Sequence, residues 1–248
     1  GEAVTFSSRA SNLVVGDTNG EMDIFVRNLL TGVTERVSVT NSEQQLDTSS
    51  DRTAVAPSLS SDGRLVPFSS NAKQLTGLSF EGPNQLFIRD IQAGTTTLAS
   101  TAANGEPANV SAGGRISADG NWLIMTSGAT NLVPSDTNGN SDVFYKNLTT
   151  GEVKRASVAS DGTQGNNGGS FMDMSTDGRF IFFRSQSTNL VPSGPTNGIY
   201  VHDRVTGSTE LVPNPPGCPN IDSSVISDDG RWLGVRANSC VPNDTGTG

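Results

Sequence analysis

The chain has 248 residues, 16 basic against 25 acidic side chains and a formal net charge of −9. That balance, with no basic stripe, argues against nucleic acid and against an anionic membrane surface as partners. Hydrophobic residues make up only 33%, in short clusters among 28 glycines and 12 prolines, so the composition reads as short strands joined by many turns rather than as helix or a bilayer-spanning segment.

The first strand-like run, residues 3–8, is followed by Asn12-Leu-Val-Val15. Next comes an oxygen-rich loop, Asp17-Thr-Asn19-Gly-Glu21-Met-Asp23, then runs at 24–29 and 34–39 with a turn at Gly32 between them. A Ser-x-Asp-Gly tetrad opens the next unit at Ser60, Asp62 and Gly63, and strands are expected at 65–70, 86–91 and 95–100. The tetrad returns at Asp119-Gly120, ahead of runs at 122–127, 143–148 and 152–158, and again at Asp177-Gly178, ahead of 180–185, 199–205 and 208–212. Its last copy, Asp229-Gly230, precedes a run at 232–237. Asp-Gly between two strand-like runs is a strong hairpin signal, because both residues tolerate the positive φ of such turns.

Each unit thus offers four short strands, and repeats of fifty-odd residues with four strands are the pattern of a β-propeller blade. The expected fold is all-β, a single propeller domain over residues 1–248 with about five blades, incomplete at both ends, or a fragment of a larger ring. The Ser-x-Asp-Gly-(Arg/Asn)-apolar stretches, with Asp23-Ile-Phe-Val-Arg-Asn-Leu29 and Asp142-Val-Phe-Tyr-Lys-Asn-Leu148, resemble the TolB-type propeller repeats of bacterial periplasmic and exported proteins. The resemblance implies a periplasmic, cell-surface or extracellular location and is almost silent on function, because such folds host unrelated activities.

The sharpest chemical signal is the loop Asp17, Asn19, Glu21, Asp23 and its counterpart Asp136, Asn138, Asn140, Asp142. Oxygen side chains at alternating positions, with Gly at the fourth, can wrap a hard cation such as Ca²⁺, the first loop more tightly for its third carboxylate. The competing reading is an Asx turn with Asn-Gly punctuation. Cys218 and Cys240 are an even pair, and a disulfide between them would pin the proline-rich loop before the last unit to the final hairpin.

Other candidates read as structural. His202, the only histidine, aligns with Arg27, Arg89 and Lys146, which suggests a solvated strand position. Trp122 and Trp232 align with Leu65 and Phe180, so all four are expected to be largely buried between blades rather than to stack on sugars. The tetrad aspartates recur once per unit and would not gather into a carboxylate pair. The leading expectation is a non-catalytic module binding a protein or glycan partner. The alternatives are a polysaccharide hydrolase or lyase, or the propeller portion of a larger enzyme. An open blade edge would favour self-association.

Overall fold

The computed structural model describes residues 2–47, 58–75, 84–214, 220–227 and 230–238. Its strands form five small antiparallel sheets that follow the repeat. The first holds β1 (Ala3–Ser8), β2 (Asp23–Asn28) and β3 (Thr34–Arg36), and the second β4 (Leu65–Ser70), β5 (Gln85–Asp90) and β6 (Thr95–Leu98). The third has four strands, β7 (Ala112–Ile116), β8 (Trp122–Ser127), β9 (Asp142–Asn147) and β10 (Val153–Arg155). The fourth repeats that plan with β11 (Gly169–Met174), β12 (Phe180–Ser185), β13 (Gly198–Asp203) and β14 (Ser208–Val212). The fifth pairs β15 (Asn220–Ile226) with β16 (Leu233–Asn238).

The strand that opens a unit escaped a residue-level reading. β7 reads Ala-Gly-Gly-Arg-Ile and carries little apolar alternation. Gly114 is there for close approach: a Cβ on it would fall 2.2 Å from the Ile124 carbonyl oxygen and 2.8 Å from Leu86 Cδ2. No larger residue fits without moving backbone.

The tetrads make the turns expected of them. Ser60 donates to the Asp62 carboxylate at 2.5 Å and accepts the Leu65 N–H at 2.8 Å, while Asp62 accepts the Arg64 N–H at 3.0 Å. Ser117 with Asp119 and Ser175 with Asp177 repeat the arrangement. Gly63, Gly120, Gly178 and Gly230 all sit at positive φ, between 66° and 75°. Successive turns also touch: Ser61 N–H donates to the Ala118 carbonyl at 2.7 Å, and Asp119 N–H to Thr176 at 3.2 Å. Asp229 lies outside the described residues.

The core lies between sheets. Ile24 and Val26 of the first unit pack on Val66, Phe68 and Phe87 of the second. Leu86 and Ile88 pack on Leu123, Met125 and Phe144 of the third, and Ile124, Val143 and Tyr145 on Ile181, Phe183 and Tyr200 of the fourth. Each sheet therefore has a leading face, turned to the unit before it, and a trailing face, turned to the unit after it. This continuous series of joints, rather than any single sheet, removes the apolar surface from water.

One repeat position marks every joint. The turn glycine of a unit lies against the first residue of the corresponding run in the unit before it. A Cβ on Gly63 would meet Ala3 at 3.9 Å, on Gly120 Leu65 at 3.4 Å, on Gly178 Trp122 at 2.8 Å and on Gly230 Phe180 at 2.5 Å. Leu65, Trp122 and Phe180 are half-buried there. Trp232 corrects the expectation of burial: it is 75% exposed, and among the described residues no turn of a further unit lies on it.

Candidate functional site

The two oxygen-rich loops close onto arginines that the sequence reading did not pair with them. In the first unit, Arg36 Nη1 lies 3.2 Å from Asp17 Oδ1 and 3.2 Å from Asp23 Oδ2, and it also donates to Gln45 Oε1 at 3.0 Å. Ser38 Oγ donates to the other Asp23 oxygen at 2.7 Å and accepts the Ile24 N–H at 3.1 Å. Asn19 Nδ2 donates to Asp23 Oδ2 at 3.0 Å and to the Leu46 carbonyl at 2.9 Å, while its Oδ1 accepts the Glu21 N–H at 3.0 Å.

The third unit repeats the set almost atom for atom. Arg155 Nη2 lies 3.2 Å from Asp136 Oδ2, and its Nε lies 3.3 Å from Asp142 Oδ2. Ser157 donates to Asp142 Oδ1 at 2.6 Å, and Gln164 Nε2 donates to Asp136 Oδ1 at 2.9 Å and Asp142 Oδ2 at 3.0 Å. Asn138 Nδ2 donates to Asp142 at 3.2 Å and to the Gly165 carbonyl at 2.9 Å, and its Oδ1 accepts the Asn140 N–H at 2.8 Å. Arg155 Nε and Nη2 and Asp136 Oδ2 are buried beside one another without a hydrogen bond of good geometry, so this loop is the less completely satisfied of the two. Burial pushes the Asp142 carboxyl above the ordinary range, against the pull of Ser157 and Arg155.

Both loops are Asx turns with Gly20 and Gly139 at φ +68° and +67°. The Asn oxygens face main-chain N–H groups, and the Asn nitrogens face the carboxylates. A calcium ion would have to displace a guanidinium and turn both amides round to find oxygen ligands. Among the described residues, no group of three or more His, Cys, Asp and Glu side chains is placed to hold a metal ion.

The other units show what the arginine is for. The closing acid and the arginine lie thirteen positions apart, Asp23 with Arg36 and Asp142 with Arg155. At the same spacing the second unit has Gln85 and Leu98, and the fourth Gly198 and Leu211. Ser100 still donates to Gln85 at 2.6 Å, and a Cβ on Gly198 would lie 2.9 Å from Leu211 Cδ1. Where the acid is absent, the arginine is absent too. This paired replacement is the signal in the sequence that identifies the counter-ion.

His202 is buried rather than solvated, as are Arg89 and Lys146 at the same repeat position. Lys146 and Arg89 reach the connection that follows the last strand of the preceding unit, and His202 meets it through Thr209 of its own sheet. Lys146 donates to the Ala99 and Thr101 carbonyls at 3.1 and 3.2 Å, and Arg89 pairs with Glu43. His202 Nδ1 lies 2.9 Å from Thr209 Oγ1, which donates to the Val158 carbonyl at 2.6 Å. Burial lowers the His202 pKa to about 4, against a small opposing pull from Asp203. Arg179 holds the Asp203 carboxyl far below the usual range. These groups strut one unit against the next. Cys218 and Cys240 lie outside the described residues.

No family model matches the chain, and no curated protein matches it. Among solved structures, TolB from Acinetobacter baumannii superposes with a TM-score of 0.52 at 20% identity, over 94% of this chain and 45% of that one. The fold is that of a TolB-like propeller. The β-propeller domain of the Trilobed protease from Pyrococcus furiosus, described as having an open velcro topology, gives 0.51 at 12% identity over 92% of this chain and 58% of that one. A structure from an analysis of two prolyl endopeptidases gives 0.54 at 13% identity over 95% of this chain and 30% of that one. The chain therefore spans between 30% and 58% of the length of these neighbours, and at such identities the likeness speaks for architecture alone.

Proposed function

We propose that this TolB-like chain is a non-catalytic propeller module of an exported or cell-surface protein, presenting its loops to a protein partner. The observation that supports it is the use to which the reactive side chains are put. His202 braces Thr209, the loop acids are closed by Arg36 and Arg155, and the tetrad aspartates cap their own turns. A general acid or base needs a free, substrate-facing position, and these groups are spent on structure. Aliphatic side chains are instead exposed at loop tips, Leu30 and Val33 on the β2–β3 hairpin and Val205 on the β13–β14 hairpin. Exposed aliphatic groups suit a protein surface better than the hydroxyl-rich face of a glycan.

A second reading, the propeller portion of a larger enzyme, draws on the likeness to the Trilobed protease domain and on the small share of the prolyl endopeptidase chain that is covered. The experiment that tests the non-catalytic reading against a polysaccharide hydrolase or lyase incubates the purified chain with a panel of acidic and neutral polysaccharides, following reducing ends and unsaturated uronate absorbance. The same panel is screened for binding by affinity electrophoresis. No turnover and no retardation are expected, whereas turnover lost on replacing a loop aspartate would replace the module reading with a hydrolase or lyase.

A further inference from the structure

Asn-Gly pairs begin at Asn19, Asn104, Asn138, Asn167 and Asn197. In such a pair the glycine nitrogen can attack the asparagine Cγ, because no side chain on the glycine crowds it. The fold treats these pairs differently. Asn19 and Asn138 are held at both ends: each Nδ2 donates to a carboxylate and to a main-chain carbonyl, and each Oδ1 accepts the N–H two residues on. At Asn104 the attacking nitrogen is engaged elsewhere, since the Gly105 N–H donates to the Ala102 carbonyl at 3.0 Å, and Asn104 Oδ1 accepts the Glu106 N–H. Gly198, which follows Asn197, is buried at the start of β13, and its Cβ position lies 2.9 Å from Leu211 and 3.0 Å from Pro195 and Tyr200. The main chain there has no room to close into a five-membered ring.

Asn167 differs on every count. Its side chain is exposed, and among the described residues its Nδ2 has no hydrogen-bond partner. The Gly168 N–H points at Asn167 Oδ1 itself, 2.8 Å away, which brings that nitrogen beside Cγ. The main chain is pinned on the other side. Ser187 Oγ accepts the Asn167 N–H at 3.0 Å and donates to the Asn167 carbonyl at 2.8 Å, while the Gly168 carbonyl accepts from Ser185 Oγ and the Gln186 N–H. The reacting groups are thus held together rather than meeting by chance. The pair also borders an open cleft of about 300 Å³, lined by Asn140, Ser141, Arg184 and Gln186 among others, so water reaches it.

We propose that Asn167 with Gly168 is a site of spontaneous covalent modification, the Asn-Gly pair at which the folded chain promotes succinimide formation. Hydroxide takes the Gly168 amide proton, the nitrogen bonds to Asn167 Cγ, and the Cγ–Nδ2 bond breaks to release ammonia. A water molecule then opens the ring at either carbonyl to give aspartate or isoaspartate, with nothing oxidised or reduced. Both products add a negative charge, and isoaspartate also adds a methylene to the main chain just before β11. That lengthening displaces the hydrogen bonds to Ser187 and Gln186, so the isoaspartyl chain should melt at a lower temperature.

The purified chain is aged at mildly alkaline pH, both folded and in denaturing urea, then mapped by peptide mass spectrometry with isoaspartate counted by enzymatic methylation. In urea all the Asn-Gly pairs should convert at similar rates. In the folded chain Asn167 should convert roughly tenfold faster than Asn19 or Asn138, and ahead of Asn104 and Asn197. Gly168→Ala should suppress the reaction without unfolding the chain, because its Cβ would meet nothing closer than the Ser141 carbonyl at 3.4 Å. Cooperative melting confirms that this variant is folded, and the wild-type ranking decides the matter if it is not. An Asn167 that converts no faster than its counterparts, a ranking unchanged between folded and unfolded chain, or an undiminished reaction in a folded Gly168→Ala variant would each overturn the proposal.

Discussion

Arg155 stands thirteen residues after Asp142, and its Nε lies 3.3 Å from the Asp142 carboxylate in a pair almost wholly removed from water. Breaking such a pair from one side leaves an uncompensated buried charge and costs about 3–5 kcal/mol. Arg155→Leu alone should lower the unfolding free energy by that order, read as a fall in the urea midpoint. The triple change Asp136→Ser, Asp142→Gln and Arg155→Leu copies what the second unit carries as Ser79, Gln85 and Leu98. It should recover most of the loss. A single variant as stable as the wild type would show that the pair contributes nothing.

Gly178 should tolerate no side chain. It combines a φ of +66° with a Cβ position 2.8 Å from Trp122 Cβ, whereas Gly151, at φ +76°, has open space around it. Gly151→Ala should cost only the backbone strain, about 1 kcal/mol. Gly178→Ala adds overpacking of roughly 1–3 kcal/mol. Equal losses in urea unfolding would mean that Trp122 moves aside freely.

The architecture was legible in the sequence where turn chemistry and apolar runs coincide, at Ser60-x-Asp62-Gly63 followed by Leu65, and at each later copy. β7 was legible only by counting, since Gly114 satisfies a close approach that leaves no hydrophobic trace. The oxygen-rich loops were found, but their counter-ions Arg36 and Arg155 arrive from another strand, and nothing local marks a cross-strand ion pair. At the position shared by Arg27, Arg89, Lys146 and His202, mixed polar identity resembles exposure, yet only Arg27 is exposed and the other three are buried. In the fold, each unit supplies a different set of carbonyls and hydroxyls for the side chain to meet. Trp232 is 75% exposed against the expectation of burial, because repeat position alone does not say what covers a side chain.

Stability should fall on mild acidification because of His202. Unfolded, the imidazole titrates near 6.5; folded and buried, it titrates near 4. Between those values the unfolded chain binds a proton that the folded chain refuses. The contribution is therefore complete above pH 6.5 and is lost as pH falls towards 4, by about 3 kcal/mol in all. His202→Gln should flatten that part of the stability–pH curve, and an unchanged slope would place the titrating group elsewhere.

Cys218 and Cys240 are expected to be cross-linked in protein exported to an oxidising compartment. Intact mass before and after reduction should differ by two protons, with a peptide joining the two residues. Two free thiols in material purified from the periplasm would count against both the bridge and the exported location.

The loops themselves are tested most directly by a crystal structure grown in millimolar Ca²⁺, with anomalous scattering used to locate the ion. The Arg36 and Arg155 guanidiniums should remain between their carboxylates, Asp17 with Asp23 and Asp136 with Asp142, and the anomalous map should be flat in both loops. An anomalous peak ringed by oxygens of Asp136, Asn138, Asn140 and Asp142, with Arg155 swung out to solvent, would contradict the internal counter-ion and make the loop a calcium site.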